Sequence, residues 1–442
     1  MTVAPLNHSK PLCGPDVPYD LHTSTESFEQ LAQWVGEYGD VFPITQKTRK
    51  APALFVNDPD VIKHILIKNN RNYLKGVGFE RVKMLLGNGI IVSDGPFWRR
   101  QRRMIQPAFG REVIAELTSQ IKKLNLELLD RWQRLAAQSA TINITEETNE
   151  LALQIILRSL FSDDLDRIFE EQQGNPFSIL TDDSARDLKL AVKFRGLTRI
   201  VGELIARRRQ QRREYMDFVS SFMAARDKDT GEPMTDKELI DEVMTLIVAG
   251  SETSATTFNW TWYSLSQYPE VLATAQQEVD HAGYEKVPGF GDMEALPYIH
   301  QLVGEVLRVY PPVWLFTRKA IARDEVKGIN IAPETDIFIS PYFMHRHPDY
   351  WPQPEHFDPR RFTESAIKSQ HKTAYLPFSA GPRRCIGDFF AMVESQLHFG
   401  LMLRHITMEY VADHPIELAP EVNLRTRYPI SMRLHQRNKN SP

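Results

Sequence analysis

Between residues 341 and 384 the sequence is rich in proline, histidine and aromatic residues and follows neither a helical nor a strand period. An aperiodic stretch this long inside a folded chain must be held by something other than its own backbone hydrogen bonds, and such segments usually serve a function. The fold therefore has to wrap regular structure around it. What precedes it is helical. Residues 27–38 carry Phe28, Leu31, Trp34 and Val35 at helical spacing, and residues 112–135 carry Ile114, Leu117, Ile121, Leu124, Leu128 and Leu129 in one stripe. Further helices are expected over 151–161, 197–215 and 297–309, the last ended by Pro311-Pro312. The longest runs from Thr235 to about Gln267, with Glu238 completing a capping box.

Strand signals are few. Residues 41–44 and 53–56 read as short strands, and Asp58-Pro59 as a helix cap and first turn leading through Ile62, Ile65 and Leu66. Residues 313–340 alternate and contain turn residues, which suggests a small sheet. A final helix is expected from about Gly387 to His405, then strand-like pieces to Leu434. The expected class is mainly α with a small β subdomain, in one domain spanning 1–442. Residues 1–20, with Pro5, Pro11, Pro15 and Pro18, should lie as an extended arm.

Composition narrows the function. Hydrophobic residues at 42% and charged residues at 25% exclude a disordered or fibrous chain. A net charge of −4 argues against a nucleic-acid binder. Two basic clusters, Arg99, Arg100, Arg102 and Arg103, and Arg207, Arg208, Arg209, Arg212 and Arg213, read first as solvated helix faces. No apolar run is long enough for a membrane span and the start lacks a secretory pattern, so a soluble, cytoplasmic protein is expected. Two cysteines, Cys13 and Cys385, form neither a disulfide framework nor a zinc signature and fit a reducing compartment.

Cys385 sits in Phe378-Ser-Ala-Gly-Pro-Arg-Arg-Cys-Ile-Gly387. Arg383, Arg384 and the following helix N-terminus all favour a thiolate, which could be a nucleophile or a metal ligand. A nucleophile would need a histidine base, and His345, His347 and His371 are available; zinc would need four ligands that nothing supplies. The better reading of His345 and His347 is packing. In the long helix, Ala249-Gly-Ser-Glu-Thr-Ser254 places Glu252 beside Thr253, an acid and a hydroxyl suited to proton delivery to bound oxygen. The bland alternative is a solvent-facing Glu and a Thr bonded back to its own helix. Gly250 costs helix stability and implies close approach of something flat, or a local distortion. Glu305 and Arg308 share a helix face and read as a structural ion pair.

Together these residues resemble the cytochrome P450 family of haem-thiolate monooxygenases. The Phe378–Gly387 segment matches FxxGxRxCxG at every fixed position. Residues 249–254 resemble the oxygen-activating helix motif, Glu305 to Arg308 the ExxR helix, residues 357–362 the PERF segment with Arg360 where Glu is usual, and Trp98 with Arg102 the WxxxR pattern. The resemblance covers essentially the whole chain. It implies haem b held between the long central helix and the cysteine loop, with Cys385 as axial ligand. Arg383, Arg102, Trp98 and Arg318 would bind the propionates, Phe378 would pack near the sulfur, and Ala249 and Gly250 would lie against the ring. Thr253 and Glu252 would hold oxygen and deliver protons. Glu305, Arg308 and Arg361 would form the network under the haem that holds the aperiodic segment.

It further implies O₂ as co-substrate and a small apolar organic substrate, first a fatty acid or terpenoid, next a polyketide or peptide natural product. Val248, Trp314, Leu315 and Phe316 would line the pocket, with Phe258 nearby. Residues 162–196 look short for the family and could leave the pocket more open. Electrons would come from a ferredoxin or flavodoxin with its reductase, because no flavin or nicotinamide domain fits beyond the haem domain. Arg99, Arg100 and Arg103 then become candidates for docking it. A peroxide-driven peroxygenase is disfavoured by the Glu252-Thr253 pair. A haem-free Cys–His hydrolase or transferase is the rival of another class.

Overall fold

The computed structural model describes residues 12–180, 188–211, 215–282 and 288–437. Ser24 caps α1 (Thr25–Tyr38), which leads into the antiparallel pair β1 (Val41–Ile44) and β2 (Ala53–Val56), with the bounds the pattern predicts for both strands. The Asp58 carboxylate accepts from the Asp60 and Val61 amides at 2.8 and 2.9 Å and starts α2 (Pro59–Lys63). The α-helix does not run on through Ile65 and Leu66 as expected. Residues His64–Lys68 form a π-type turn instead, and it brings the Leu66 carbonyl against Gly381. β3 (Tyr73–Lys75), α3 (Phe79–Leu86), α4 (Gly95–Ile105), α5 (Arg111–Ala136) and β4 (Thr141–Asn143) follow. α6 (Ile144–Phe161) begins earlier than its apolar pattern suggests, because the Asn143 side chain caps the Glu146 amide.

α7 (Asp164–Glu171), α8 (Leu188–Gln210) and α9 (Phe218–Ala224) lead to α10 (Asp236–Gln267). The capping box that starts α10 is formed: Thr235 N–H donates to the Glu238 carboxylate at 2.8 Å, and Glu238 N–H to Thr235 Oγ1 at 3.2 Å. α10 is buried from Glu242 to Trp262 apart from five central residues, as befits a helix enclosed by others. α11 (Pro269–His281) and α12 (Pro297–Val309) complete the helical part before the small sheet: β5 (Phe316–Ala320), β6 (Asp324–Val326), β7 (Ile329–Ile331) and β8 (Asp336–Ile339). The aperiodic segment holds only α13 (Pro341–Met344), α14 (Glu364–Ser369) and isolated tight turns. α15 (Asp388–Met402) and β9 (Ile406–Val411), β10 (Leu418–Pro420), β11 (Leu424–Thr426) and β12 (Ser431–Gln436) end the chain.

The main sheet has the order β1-β2-β8-β5-β3, parallel only between β2 and β8. β4-β12-β9 form a second sheet, and β6–β7 and β10–β11 are hairpins. One large core lies among the helices. A second lies under the main sheet (Leu54, Ile62, Ile337, Leu376), and a third joins α1 to the sheet through Trp34, Phe42, Phe55 and Trp314. The described part of the arm, from residue 12, lies on β1: Tyr19 N–H donates to Thr45 O at 2.8 Å, and a Cβ on Gly14 would fall 2.2 Å from Pro43 O. Cys13 is exposed on it.

The arginine cluster of α8 is not a solvated face. Arg208 is 5% exposed and donates to Asp164 (2.7 Å), Asp217 (2.8 Å) and the Phe161 carbonyl (2.8 Å), so it staples α8 to α7 and α9. Arg207 pairs with Glu171 and Arg209 with Asp236, while Arg212 and Arg213 lie outside the described residues, as does part of 162–196. Among the described residues no helix is long and apolar enough to cross a membrane.

Candidate functional site

Gly381 explains the shape of the cysteine loop. Its φ of +71° is a backbone conformation that side chains resist, and a Cβ there would sit 2.0 Å from the Leu66 carbonyl oxygen. The loop then closes through Arg384 N–H to Gly381 O (3.0 Å) and Cys385 N–H to Phe378 O (2.9 Å). Phe378 packs on the helical core. Cys385 is solvent-accessible, yet desolvation by surrounding protein is the largest influence on its thiol and pushes its pKa up. The two observations agree if the sulfur faces an enclosed cleft rather than open solvent. The charges expected to favour thiolate are present but outweighed: the Gly387 amide, Arg102 and Arg384 act in that direction, burial against it. Arg383 is not among them, because its guanidinium turns to Asp94 and Trp98.

The middle of α10 is also left partly open. Val248, Ala249, Gly250, Glu252 and Thr253 are half-buried within an otherwise buried stretch. Ser254 donates to Glu394 on α15, the helix that starts directly after the cysteine loop, so the two elements stand side by side. Thr253 Oγ1 donates to the Ala249 carbonyl at 2.7 Å, the back-bonded arrangement. Glu252 does not face open solvent: its carboxylate pairs with Arg425 on β11 at 3.3 Å. Gly250 does reflect close approach, but of a helix: a Cβ there would lie 2.9 Å from Cγ1 and Cδ1 of Ile156 on α6. Glu394 was not apparent from sequence. It is fully buried, and burial, only partly offset by the Ser254 hydroxyl, raises its pKa from 4.5 to about 8.

The residues around the loop carry an excess of positive charge. Arg383 donates to the Ser93 carbonyl at 3.0 Å, pairs with Asp94, and stacks 4.2 Å over the Trp98 ring. Arg318 on β5 is 4% exposed and, among the described residues, donates only to the Thr317 carbonyl (2.8 Å). Directly opposite it on β3 stands Lys75. Like charges facing each other across strands repel. Burial, with Arg383 adding to it, lowers the Arg318 pKa to about 10; burial, then Arg318 and Arg383, push that of Lys75 well below its usual value. Arg102 donates to the Arg384 carbonyl at 3.0 Å beside the sulfur. Asp94 is the carboxylate set among these cations. Such crowding is costly unless an anion shares the site, and two propionates beside a sulfur donor are what the set fits. Lys75 is the member that sequence reading missed; a lone lysine ending a three-residue strand carries no motif.

Behind the loop lies the predicted network. Arg308 and Glu305 are both 0% exposed and form two parallel bonds of 2.7 Å. Arg308 also donates to the carbonyls of His345 (3.0 Å), Pro354 (2.7 Å) and His356 (3.2 Å), and Glu305 accepts from Asp358 N–H at 2.7 Å. Arg361 lies 3.6 Å from Glu305 and donates to the Gln353 carbonyl, whereas Arg360 is an exposed partner of Asp358. The aperiodic segment is thus hydrogen-bonded to one buried ion pair. His345 braces it too: Nε2 accepts from Leu376 N–H (2.7 Å), Nδ1 meets the Arg308 carbonyl (3.2 Å), and burial lowers its pKa to about 3. Its ring is neutral and engaged on both nitrogens. His347 bonds Asp40 and His371 bonds Asp60, so none of the three is placed as a base for Cys385. Among the described residues no cluster of three or more His, Cys, Asp or Glu could hold a metal ion.

Three expectations for the pocket fail. Trp314 is fully buried in the core beneath α1, edge-on to Phe28 at 5.3 Å with its indole N–H on the Glu421 carbonyl, and Leu315 lies in the same core. Phe258 stacks on His398 inside the helical core at 4.8 Å. These residues follow a proline or a helical period toward the interior, which sequence alone does not distinguish from a pocket wall. Val248 and Phe316 remain half-exposed. In the first arginine cluster, Arg100 pairs with Asp227 and Glu238, and Arg103 with Asp227 and Asp229; Arg99 is exposed.

A helical fold that sets a sulfur against a cationic wall and an acid–hydroxyl pair is that of a haem-thiolate protein. The cytochrome P450 family model matches residues 9–175 and 168–432. Cyclooctatin synthase of Streptomyces melanosporofaciens is 31% identical over 417 residues, covering 89% of this chain and 88% of its own. Pentalenene oxygenase of Streptomyces avermitilis is 30% identical over 380 residues, covering 82% and 83%. The crystal structure of the cytochrome P450DA haem domain superposes with a TM-score of 0.83 at 25% identity, over 93% of each chain. The chain belongs to the cytochrome P450 family. It is a haem monooxygenase, an oxidoreductase that incorporates molecular oxygen, with a cysteine thiolate as the axial ligand of its haem.

Proposed function

We propose that this monooxygenase oxidises a small terpenoid, with Cys385 as the thiolate ligand and Glu252 and Thr253 as its proton-delivery pair. The reading rests above all on the Cys385 loop, the half-exposed centre of α10 and the crowded Lys75–Arg318–Arg383 cations. Haem, when bound, supplies the activation of O₂ and the transfer of one oxygen atom to a C–H bond. Arg383, Arg318, Lys75 and Arg102 would neutralise its propionates, and Trp98 would flank them beneath Arg383. Ala249 and Gly250 would offer the ring a helix face, and Phe378 would shield the sulfur. The Thr253 hydroxyl, once turned from the Ala249 carbonyl, can pass on its proton and be resupplied by Glu252. Val248 and Phe316 give the pocket apolar walls that exclude water.

Two relatives are named for the terpenoids cyclooctatin and pentalenene, which supports terpenoid over fatty acid. Electrons would come from a ferredoxin or flavodoxin with its reductase in the cytoplasm. Of the basic residues near the cysteine loop, Arg99 and Arg384 are exposed enough to meet an acidic carrier; Arg100 and Arg103 are committed within the chain. Spectral titration with terpenoids, fatty acids and macrocycles tests the substrate reading. A low-to-high spin shift is expected at the lowest concentrations with a cyclic terpenoid; one confined to fatty acids or macrocycles would overturn it.

A further inference from the structure

We infer that Arg425 is a positioning residue for proton delivery, a latch that the C-terminal hairpin holds on the Glu252 carboxylate. The inference deepens the reading of Glu252 above and depends on it. Arg425 Nε lies 3.3 Å from Glu252 Oε1, and Arg425 Nη2 donates to Glu421 Oε2 at 3.0 Å. One guanidinium is therefore shared by two carboxylates, one on α10 and one on the hairpin. The backbone that presents it is fixed on three sides. The Leu424 carbonyl accepts from Trp260 Nε1 (2.9 Å), Leu424 N–H donates to the Pro312 carbonyl (2.8 Å), and the Glu421 carbonyl accepts from Trp314 Nε1 (2.8 Å). With the backbone held, the movable part is the Arg425 side chain.

The consequence is geometric. A Glu252 oxygen held against a guanidinium is not turned toward the Thr253 hydroxyl, which itself rests on the Ala249 carbonyl. Both groups are engaged elsewhere. When Arg425 closes fully onto Glu421, Glu252 is released and Arg425 still keeps a partner. That second carboxylate lowers the cost of the exchange, because the guanidinium stays paired and the charge left on Glu252 is removed when that carboxyl takes up a proton. The released carboxyl, protonated from solvent, would give a proton to Thr253 Oγ1 as that hydroxyl passes its own to the oxygen substrate being reduced, and uptake of another solvent proton by Glu252 restores the start.

Double-mutant analysis tests the inference. Arg425→Gln, Glu252→Gln and the double variant are compared for product formed per electron consumed, the solvent deuterium isotope effect on turnover, and thermal unfolding. Glu252→Gln is expected to raise the isotope effect and lower the product yield at least twofold. Arg425→Gln is expected to lower the isotope effect about twofold, Arg425→Lys to restore it, and the double variant to match Glu252→Gln. The two residues should also couple in unfolding. If Glu252→Gln leaves yield and isotope effect unchanged, the proton-delivery reading fails. If Glu252→Gln acts but Arg425→Gln has the same effect in both backgrounds, Arg425 does not work through Glu252 and the latch fails.

Discussion

Replacing Glu305 by alanine removes the carboxylate on which the aperiodic segment depends. In the parent, Arg308 spends Nε and Nη2 on Glu305 at 2.7 Å each and reaches the carbonyls of residues 345, 354 and 356 with its remaining N–H groups. Without Glu305 that guanidinium stays fully buried and has only carbonyls against its charge. Losing one partner of a buried pair costs about 3–5 kcal/mol. The Asp358 amide also loses its acceptor at 2.7 Å, worth about 1 kcal/mol. A total near 4–6 kcal/mol is a large share of the 5–15 kcal/mol typical of a native protein. Arg360→Ala is the control: it removes an exposed surface pair with Asp358, and the variant should unfold close to the parent. Denaturant unfolding of the haem-bound protein followed by circular dichroism measures both. Hydrogen exchange should show protection lost first at the amides of 345–376. A Glu305→Ala variant within about 1 kcal/mol of the parent would refute the claim that this pair holds the segment.

Glu394 has a raised folded-state pKa, so the stability tied to its protonated form is complete below 4.5 and is lost as pH rises to about 8. Glu394→Gln should flatten that fall and gain up to about 5 kcal/mol above pH 8, read as the variant-minus-parent difference in unfolding free energy across pH, because Glu242 shares the behaviour. Gly381→Ala should cost about 2–4 kcal/mol through its positive φ and the clash with Leu66 O, measured by thermal unfolding. Lys75→Met should leave the apoprotein at least as stable as the parent, because it relieves repulsion from Arg318 and Arg383, yet speed haem loss to a scavenging globin several-fold.

Local chemistry was readable where it needed few neighbours. The Asp58 cap, the Thr235–Glu238 box and the bounds of β1 and β2 follow from side chains reaching backbone within a turn, or from a short apolar run. Cys385, Glu252, Thr253, Glu305 and Arg308 were singled out because each lies in a dense local pattern. Lys75, Glu394 and Arg425 were not, because their partners are distant in sequence: Lys75 gains meaning only opposite Arg318, Glu394 only beside Ser254, Arg425 only against Glu252. Direction was the other gap. A glycine at 250 signals contact without saying that Ile156 makes it, and Trp314 after a proline can face a core as well as a pocket. Arg208 shows the same limit for charge, since a run of arginines hides the one that Asp164 and Asp217 bury.

The central claim is that Cys385 supplies the thiolate. Its most direct measurement is the absorbance spectrum of the reduced carbon monoxide complex of purified Cys385→Ser, with Cys13→Ser as control. The account predicts that Cys13→Ser keeps the red-shifted Soret band of thiolate-ligated haem and that Cys385→Ser loses it while retaining a folded helical spectrum. A thiolate-type band in Cys385→Ser, or its loss in Cys13→Ser, would contradict it.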